Sequence, residues 1–342
     1  MKKIIVTGGS GFIGTNFVKN LAKKNYILYN IDKLSSVSTP ERFKNKKSFK
    51  NYNFYKLDLL NFKKIKKLIF NIKPDFIINF AAESHVDRSI EDPIFFLKNN
   101  FISSINLFSI FKDYSKKNKN SRLIHISTDE VFGSNNSIPS KENYPYKPSS
   151  PYSSSKASAD LVALSFNETY STNIVIVNLC NNYGPYQNLE KFIPTCIFSL
   201  IRNKTIPIYG KGLNIREWIY VDDACRAILK LLKLKLDNSR FNIGSNARVD
   251  NFTIAKKIFS ILKSKNKTKL KNNNYYKFVK DRPGHDLRYA LNSSRFYKKS
   301  NFKIKNKIDK GLSKTIGWYL NNKKWVKYMK NKYRSKRIGL HD

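Results

Sequence analysis

Two carboxylates and a hydroxyl follow directly after an apolar segment near the middle of the chain. Leu123 to Ile126 predicts a buried β-strand, and Ser127, Thr128, Asp129 and Glu130 come directly after it. In open α/β sheets, the carboxyl ends of the strands face the ligand crevice. Two adjacent carboxylates can divide acid and base work there, because their repulsion separates their pKa values. Taken alone, the same residues are more typical of a solvated turn with a capping aspartate, so the interpretation depends on the rest of the chain.

A tyrosine and a lysine form a second pair of groups with useful chemistry. Residues 148–155, rich in proline and serine, predict a helix start, and the helical pattern continues to about Tyr170. Tyr152 and Lys156 are four positions apart, so they share one face of that helix. An ammonium beside a phenol favours the phenolate and lowers a pKa that is otherwise about 10, which gives a base usable near neutrality. Alone, such a spacing is common on ordinary helix surfaces.

A glycine-rich loop close to the N-terminus could hold a dinucleotide. Lys3 to Val6 predicts a strand, Gly8, Gly11 and Gly14 follow it, and a helical pattern then runs to about Lys23. Glycines at this spacing allow a tight turn, close approach of the backbone to a pyrophosphate, and close packing of the helix on the sheet. The phosphates then lie on the free N–H groups of a helix N-terminus.

An acidic residue after the second predicted strand indicates which dinucleotide the loop prefers. The strand Tyr26 to Ile31 is followed by Asp32, and its distance from the first glycine of the loop is close to the ~20 residues expected. A carboxylate there accepts hydrogen bonds from both ribose hydroxyls and repels a 2′-phosphate. The sequence therefore favours NAD over NADP, although the neighbouring Lys33 would tolerate that phosphate.

The remaining apolar segments predict the elements that position these groups. Strands are predicted at 53–57, 76–80 and 174–177, and helices at 62–71 and from Pro93 to about Lys117. This alternation predicts an α/β fold, a Rossmann-type doubly wound parallel sheet. The small residues Ala81 and Ala82 end the fourth strand, where they would let the backbone approach a cofactor. His85 nearby is more typical of a structural histidine than of a catalytic base.

Beyond a polar loop at 178–187, the pattern is less regular and predicts a smaller C-terminal α/β domain. Its pieces are 207–210, 216–223, a helix from 224 to about 233, a strand end at 241–244, a polar loop at 281–286, and a last amphipathic helix that begins at 311–319. Arg216 and Arg282 lie on two of the loops, and guanidinium groups suit a pyrophosphate.

Length and cysteine usage limit the class of protein. The chain has 342 residues, which is enough for about two domains. Cys180, Cys196 and Cys225 show no CxxC spacing, so neither a zinc site nor a disulfide framework is predicted, and a reducing cytoplasm fits best. The apolar segment after Met1 is too short for a signal peptide. No uninterrupted apolar run approaches the ~18 residues of a membrane span.

The chain is strongly basic, with a formal net charge of +41. Such a charge suggests nucleic acid or an anionic membrane surface as a partner. The lysines are spread through nearly every segment, as an AT-rich coding sequence would produce, and the densest clusters, 263–274 and 327–337, are predicted to be solvated surface. We therefore expect no nucleic-acid or membrane partner, and only attraction of an anionic substrate by the diffuse charge.

Seven motifs together carry a resemblance that covers nearly the whole chain. They are TGGSGFIG at Thr7, AAESHVDRSI at Ala81, STDEVFG at Ser127, PYSSSKA at Pro151, NNYGPYQ at Asn181, REWIYVDD at Arg216 and DRPGHDLRYA at Asp281. The chain resembles the extended short-chain dehydrogenase/reductases, and among them the dTDP-glucose 4,6-dehydratases. The adjacent acid pair is the discriminating motif, because related epimerases and decarboxylases share the glycine loop and the Tyr/Lys pair but lack it. The chain departs from the family at Phe132, Asn99-Asn100 and Gly244-Ser245, where tyrosine, Thr-Asn and Gly-Gly are usual.

The resemblance implies a site for NAD and a site for a nucleotide sugar. The residues implied at NAD are Gly8, Gly11, Phe12, Ile13, Gly14, Asp32, Lys33, Leu34, Ser35, Asp58, Leu59, Phe80, Ala81, Ala82, Ser84, Asn99, Tyr152, Lys156 and Asn182. Those implied at the substrate are Ser84, Thr128, Asn181, Lys191, Phe192, Pro207, Ile208, Tyr209, Arg216, Asn251, Asp281, Arg282, Pro283, Gly284 and His285. The catalytic residues implied are Thr128, Asp129, Glu130, Tyr152 and Lys156, and no metal is implied.

The implied reaction is dehydration of dTDP-glucose, by transient oxidation at sugar carbon 4, loss of water across carbons 5 and 6, and return of hydride to carbon 6. The domains would be 1–178 for NAD, with a return segment at about 222–243, then 179–221 and 244–330 for the nucleotide sugar, and 331–342 as a basic tail. The family suggests a cytoplasmic homodimer in deoxysugar synthesis for surface polysaccharide. The alternatives are a UDP-glucose 4,6-dehydratase, another NAD-dependent epimerase or decarboxylase, or, from a different class, a non-catalytic dinucleotide-sensing or nucleic-acid-binding protein.

Overall fold

A computed structural model describes residues 1–22, 24–38, 51–135, 137–235 and 240–332 of the chain. The predicted end of the first helix at Lys23, part of the return segment and most of the basic tail lie outside these residues. The strands are β1 (Lys2–Thr7), β2 (Tyr26–Asp32), β3 (Tyr52–Lys56), β4 (Phe76–Asn79), β5 (Arg122–Thr128), β6 (Ile174–Leu179), β7 (Asn181–Tyr183), β8 (Ile206–Tyr209), β9 (Ile215–Tyr220), β10 (Arg240–Ile243), β11 (Arg248–Asp250) and β12 (Tyr276–Val279).

The helices alternate with these strands through the first half of the chain and dominate the second. They are α1 (Phe12–Leu21), α2 (Phe62–Ile72), α3 (Val86–Glu91), α4 (Pro93–Phe96), α5 (Ser103–Lys117), α6 (Pro151–Tyr170), α7 (Phe192–Ile201), α8 (Val221–Leu231), α9 (Asn251–Ser264), α10 (Ser294–Ser300), α11 (Ile308–Asn321) and α12 (Lys323–Lys332). A π-helical turn, Leu97–Ile102, joins α4 to α5, and a 3₁₀ turn, Asp129–Phe132, follows β5.

Seven parallel strands form the central sheet, in the order β10-β6-β5-β4-β1-β2-β3. The order reverses between β1 and β4, which is where doubly wound sheets bind ligands. Both faces are covered: Ile4 and Val6 of β1 belong to the core beneath α1 and α8, whereas Ile5 belongs to the core beneath α2, α5 and α6. The predicted Rossmann-type sheet is confirmed.

A smaller group of elements packs beside the carboxyl ends of the central strands. It contains a three-stranded sheet, β11-β9-β7, and a two-stranded sheet, β12-β8. Its own apolar core joins α7, α9, α11 and α12, with Ile197, Ile258 and Ile316 buried at its centre. The domain boundaries stay a prediction, but β10 returns to the central sheet beside β6, within the segment predicted to do so.

Several predicted elements differ from those observed. The polar loop at 178–187 contains the short strand β7, which pairs with β9. The helix predicted from Ala224 begins at Val221, and the helix expected to be the last is followed by α12. The long helix expected from Pro93 is interrupted by the π-helical turn that carries Asn99 and Asn100. The helices α3, α7 and α9 were not predicted, because each follows a site loop whose polar residues obscure the apolar period.

Within the described residues, one helical stretch, Pro93–Lys117, is long and apolar enough to cross a membrane. Half of its most apolar window is buried inside the protein. The core helix of a globular fold meets the same criteria of length and composition, so this stretch carries little weight for a membrane location.

Candidate active site

The loop after β1 has a shape that only glycine allows. Gly8 has φ of +68°, and a Cβ there would lie 2.6 Å from the backbone nitrogen of Ala81. A Cβ on Gly14 would lie 2.3 Å from the carbonyl oxygen of Gly8, so a side chain would push α1 away from the loop. Gly11 precedes α1 and provides no side-chain cap, which leaves the first N–H groups of the helix for an anion.

Asp32, at the end of β2, is held by the same loop. Its carboxylate accepts hydrogen bonds from the Ser10 amide at 2.9 Å, from the Leu34 amide at 2.8 Å and from the Ser38 hydroxyl at 3.0 Å. These bonds fix the carboxylate at the carboxyl edge of the sheet, with acceptor capacity left on Oδ2. Lys33 next to it contacts the Asn99 side chain and lies 3.8 Å from Asp58.

Most of the residues predicted at the cofactor line one cleft along this edge. Those that line it are Gly8, Gly11, Asp32, Lys33, Ser35, Asp58, Leu59, Phe80, Ala81, Ala82 and Asn99. The glycine turn, the uncapped helix start and the fixed carboxylate are the features a dinucleotide requires, so the residues present fit such a cofactor.

The acid pair lies where β5 passes into its 3₁₀ turn. Thr128 caps the turn: its Oγ1 accepts a hydrogen bond from the Glu130 amide at 3.2 Å and donates one to Asp129 Oδ1 at 3.2 Å. Asp129 is only 3% exposed, and its Oδ2 has no hydrogen-bond partner among the described residues. Asp129 is therefore buried and Glu130 partly buried, and the interpretation as a solvated turn is wrong.

The two carboxyl groups differ in the charges around them. Burial raises the pKa of Asp129 well above its usual value, and the carboxylates of Glu130 and Glu217 raise it further. Burial also raises the pKa of Glu130, but Arg282, Arg216 and Lys191 act against it. Asp129 is consequently suited to carry a proton, and Glu130 to carry a negative charge.

Tyr152 and Lys156 lie on α6, whose start is fixed by Pro151 and by a capping box at Ser150. The pKa of Tyr152 is raised, because burial and the negative charge of Glu130 outweigh a hydrogen bond with Thr128. This direction is opposite to the one expected from the Tyr/Lys spacing. Among the described residues no hydrogen bond joins Lys156 to the phenol: its Nζ donates to the Ile126 carbonyl at 2.8 Å and lies 3.3 Å from His125 Nε2.

The second cleft, of about 1610 Å³ with its open mouth, lies between the central sheet and the smaller group of elements. The predicted residues that line it are Ser84, Glu130, Asn181, Asn182, Lys191, Phe192, Pro207, Tyr209, Arg216, Asn251, Arg282 and His285. It meets the first cleft at the end of β4, where residues 80–83 line one and residues 84–87 the other. A cofactor and a substrate could therefore lie end to end past the end of β4, with Glu130 on the substrate side.

Cations in the second cleft are held by neutral and acidic neighbours. Arg216 donates to the Ile215 and Asp286 carbonyls, both at 2.9 Å, and its guanidinium lies 4.3 Å from the centre of the Tyr289 ring. Arg282 Nη1 lies 3.4 Å from Asp87 Oδ1, and its Nε has no partner among the described residues. These guanidinium groups suit a diphosphate.

Not every predicted residue lies in a cleft. The Ile208 side chain is buried in the smaller core. Gly284 lies in a turn where its φ is positive, and a Cβ at this position would lie 2.7 Å from the Ser149 carbonyl oxygen. Cleft residues that the sequence did not single out include Glu190, Trp218 and Tyr289. Glu190 forms an ion pair with Arg88, with Oε2 2.7 Å from Nη2. In the sequence, the one indication that Glu190 lies at the site was its position next to Lys191.

Comparison with known proteins places the chain in a family. A family model described as GDP-mannose 4,6 dehydratase matches residues 5–315. A probable dTDP-glucose 4,6-dehydratase of Sinorhizobium fredii is 36% identical over 99% of this chain and 99% of its own length. The solved dTDP-glucose 4,6-dehydratase of Bacillus anthracis, in complex with NAD, is 34% identical, with a TM-score of 0.86 over 96% of this chain and 100% of that one.

A second solved structure gives the same result. The dTDP-glucose 4,6-dehydratase of Streptomyces venezuelae, with NAD bound, is 32% identical, with a TM-score of 0.88 over 96% of this chain and 99% of that one. The identity extends over the full length and the folds superpose throughout. The chain belongs to the GDP-mannose 4,6 dehydratase family, and within it to the dTDP-glucose 4,6-dehydratases.

Proposed function

We propose that this protein is an NAD-dependent dTDP-glucose 4,6-dehydratase, a hydro-lyase that forms dTDP-4-dehydro-6-deoxy-D-glucose. The observation that carries the proposal is the acid pair after β5, in which Asp129 is buried and Glu130 lines the second cleft. Asp129 lies among anions and Glu130 among cations. A protonated carboxyl next to a carboxylate is what removal of water from adjacent carbons requires, and neither an epimerase nor a decarboxylase needs both.

The sugar does not lose water directly, because the hydrogen on its carbon 5 is not acidic. A ketone at carbon 4 makes that hydrogen acidic. Bound NAD would supply a hydride acceptor for carbon 4 and, later, a hydride donor for carbon 6. Gly8, Gly11 and Asp32 are the residues that would hold it.

Tyr152 takes the proton of the 4-hydroxyl during the oxidation, and Thr128 holds the 4-oxygen. The phenol is neutral in this structure, since burial and Glu130 raise its pKa. Its proton affinity must therefore fall when positive charge is brought close to it. Lys156 supplies part of that charge from the next turn of α6, and it also reaches the nicotinamide ribose in this proposal.

Glu130 then removes the proton from carbon 5, and Asp129 gives its proton to the departing 6-hydroxyl, which leaves as water. The proton that Glu130 gained returns to carbon 5 when hydride reaches carbon 6. Tyr152 releases to solvent the proton that it took from the 4-hydroxyl, and Asp129 regains one from solvent, so the enzyme ends each cycle as it began. Positioned acid–base groups of this kind typically contribute about 10²–10⁴-fold each.

The substrate diphosphate would lie on Arg216, Arg282 and Lys191, whose positive charges converge on the second cleft. Phe192 and Trp218 stack there with ring centroids 6.4 Å apart and offer an apolar surface for the base.

We also propose a cytoplasmic homodimer. The apolar side chains of Ile94, Phe95, Leu97, Ile102 and Leu161 are exposed on the helices α4 to α6, where a second copy would cover them.

The direct test is a single assay on the purified protein. We would mix it with dTDP-glucose, without added NAD, and record the alkali-induced absorbance of a 4-keto-6-deoxy sugar, with UDP-glucose in parallel. Product from dTDP-glucose is expected, and would show that the cofactor stays bound through turnover. Product from UDP-glucose alone would change the substrate, and no product even with NAD supplied would refute the role of the acid pair. The variant Asp113→Asn, which changes a surface carboxylate paired with Lys66, is the matched control.

A further inference from the structure

A fully buried histidine touches the lysine of the proposed site, although the mechanism above does not use it. His125 lies on β5 and is 0% exposed. Its Nε2 is 3.3 Å from Lys156 Nζ and 3.5 Å from Asp160 Oδ1, and its Nδ1 is 3.0 Å from Asn79 Nδ2. The edge of its ring packs on Phe108, with centroids 5.2 Å apart. A polar ring this enclosed must satisfy its nitrogens from these neighbours alone.

The hydrogen bonds around Asn79 fix which ring nitrogen carries the proton. The Ala81 backbone nitrogen, which can only donate, lies 3.2 Å from Asn79 Oδ1. The amide nitrogen of Asn79 therefore faces the ring and donates to His125 Nδ1. Nδ1 must accept that bond, so the proton of the neutral ring is on Nε2. Burial and the charge of Lys156 lower the pKa of His125 well below its usual value, which keeps the ring neutral.

The Nε2–H of His125 lies between a cation and an anion. Asp160 Oδ2 is occupied, because it accepts hydrogen bonds from the Ser127 hydroxyl at 2.6 Å and the Tyr146 hydroxyl at 3.0 Å. Asp160 Oδ1 has no such partner among the described residues and is left to the Nε2–H. The same N–H also faces Lys156 Nζ. When Lys156 is protonated, both groups are hydrogen-bond donors and no bond can form between them.

We propose that His125 is a positioning residue that controls the charge of Lys156: its Nε2–H disfavours the ammonium, and Asp160 on the same helix favours it. The proposal rests on the role given to Lys156 under the proposed function. Burial lowers the pKa of Lys156 to about 8, and Asp160 acts against that shift. A pKa near 8 makes the charge of Lys156 sensitive to these two neighbours, and under the proposed function that charge helps to stabilise the Tyr152 phenolate.

The titratable groups around this pair come from four segments. His125 approaches Lys156 from β5, whereas Asp160 and Tyr152 approach it from α6 itself. Tyr146, from the loop before α6, bonds to Asp160. The acid pair Asp129 and Glu130 acts on Tyr152 from the 3₁₀ turn. Of these, His125 and Asp160 interact with Lys156 itself and are not among the proposed reacting groups.

The first test uses two variants with opposite expected effects on the alkaline limb of the pH profile of kcat/KM. His125→Leu removes the N–H and leaves Asp160 facing the ammonium, so the limb should move to higher pH by at least about half a unit, a threefold change in proton affinity. Asp160→Asn removes the anion, so the limb should move to lower pH. Phe108→Leu, which changes the apolar side of the ring, should reduce the melting temperature and leave the limb in place. Shifts in the same direction, or no shifts, would overturn the proposal.

The second test does not depend on activity. The chain has four histidines, so the ¹⁵N spectrum of histidine-labelled protein is simple, and His125→Leu identifies the signal of His125. We expect a neutral ring protonated on Nε2 from mild acid to mild alkali. A ring protonated on Nδ1, or charged at neutral pH, would overturn the proposal even in an active enzyme. If the spectrum is as expected and the enzyme makes no product, it is the proposed function that fails.

Discussion

The variant Asp129→Asn should separate the two halves of the proposed reaction. Asparagine has the same shape, and its Oδ1 can still accept the hydrogen bond from Thr128 that is 3.2 Å long in the parent. The change therefore removes the acidic proton with little change of geometry. Loss of a positioned acid reduces the rate by about 10²–10⁴-fold, which corresponds to ~2.7–5.5 kcal/mol in the barrier to loss of water. Oxidation at carbon 4 depends on Tyr152 and should continue.

The assay follows both halves in a single turnover. In Asp129→Asn, the near-ultraviolet absorbance of the reduced cofactor should rise and persist, while the alkali-induced absorbance of product stays low. Deuterium from heavy water should still enter carbon 5, because Glu130 retains its carboxylate. The matched variant Glu130→Gln should show the same reduced cofactor with no deuterium at carbon 5. Equal loss of oxidation and of deuterium entry in Asp129→Asn would refute the division of acid and base roles.

Three further predictions follow from individual contacts. Tyr152→Phe should abolish formation of the reduced cofactor, measured by absorbance, while dTDP binding measured by calorimetry is retained. Arg216→Lys should raise KM for dTDP-glucose about tenfold or more, with a smaller effect on kcat. The reason is that lysine cannot reproduce the two hydrogen bonds to carbonyl groups and the stacking on Tyr289. An unchanged KM would contradict the role of Arg216 at the diphosphate. Asp129→Asn should also raise the melting temperature at neutral pH. Folding raises the pKa of Asp129, so the parent protein loses stability as the pH rises above the pKa of this group in the unfolded chain. The loss is ~1.4 kcal/mol for each unit by which folding raises the pKa. At pH 3, where the group is protonated in both states, the variant should show no gain in melting temperature.

The sequence predicted those parts of the fold that depend on local pattern. The order of the strands up to β6 was accessible because all of them except the exposed edge strand β3 are apolar and largely buried. The glycine loop, Asp32 and the acid pair were found because parallel strands bring their carboxyl ends to one edge. That rule converts sequence position into spatial proximity without any knowledge of distances.

The parts that were missed depend on contacts between distant segments. The raised pKa of Tyr152 follows from its enclosure and from Glu130 on another element, whereas the spacing on α6 suggested the opposite direction. His125 was part of an apolar strand and gave no sign that it would meet Lys156, which is 31 positions away. The π-helical turn arises where Asn100 bonds to the backbone of Glu83 and to Ser155, and no local pattern announces it.

The cations of the second cleft have a second effect besides the proposed binding of a diphosphate, because they also lower the pKa of Glu130, the proposed base. Arg282, Arg216 and Lys191 all act to stabilise the negative charge of Glu130. A bound diphosphate would draw the same three charges toward itself and reduce what they contribute to the carboxylate. Glu130 would then hold a proton more strongly in the complex than in the free protein, so it becomes a stronger base when a substrate is present. Arg216 lowers the pKa of Asp129, but burial and the negative charges of Glu130 and Glu217 raise it. Asp129 should therefore keep its proton both in the free protein and in the complex. In the proposed reaction, binding and acid–base catalysis would therefore be linked through one set of side chains, and charge at the diphosphate should affect the elimination step several bonds away.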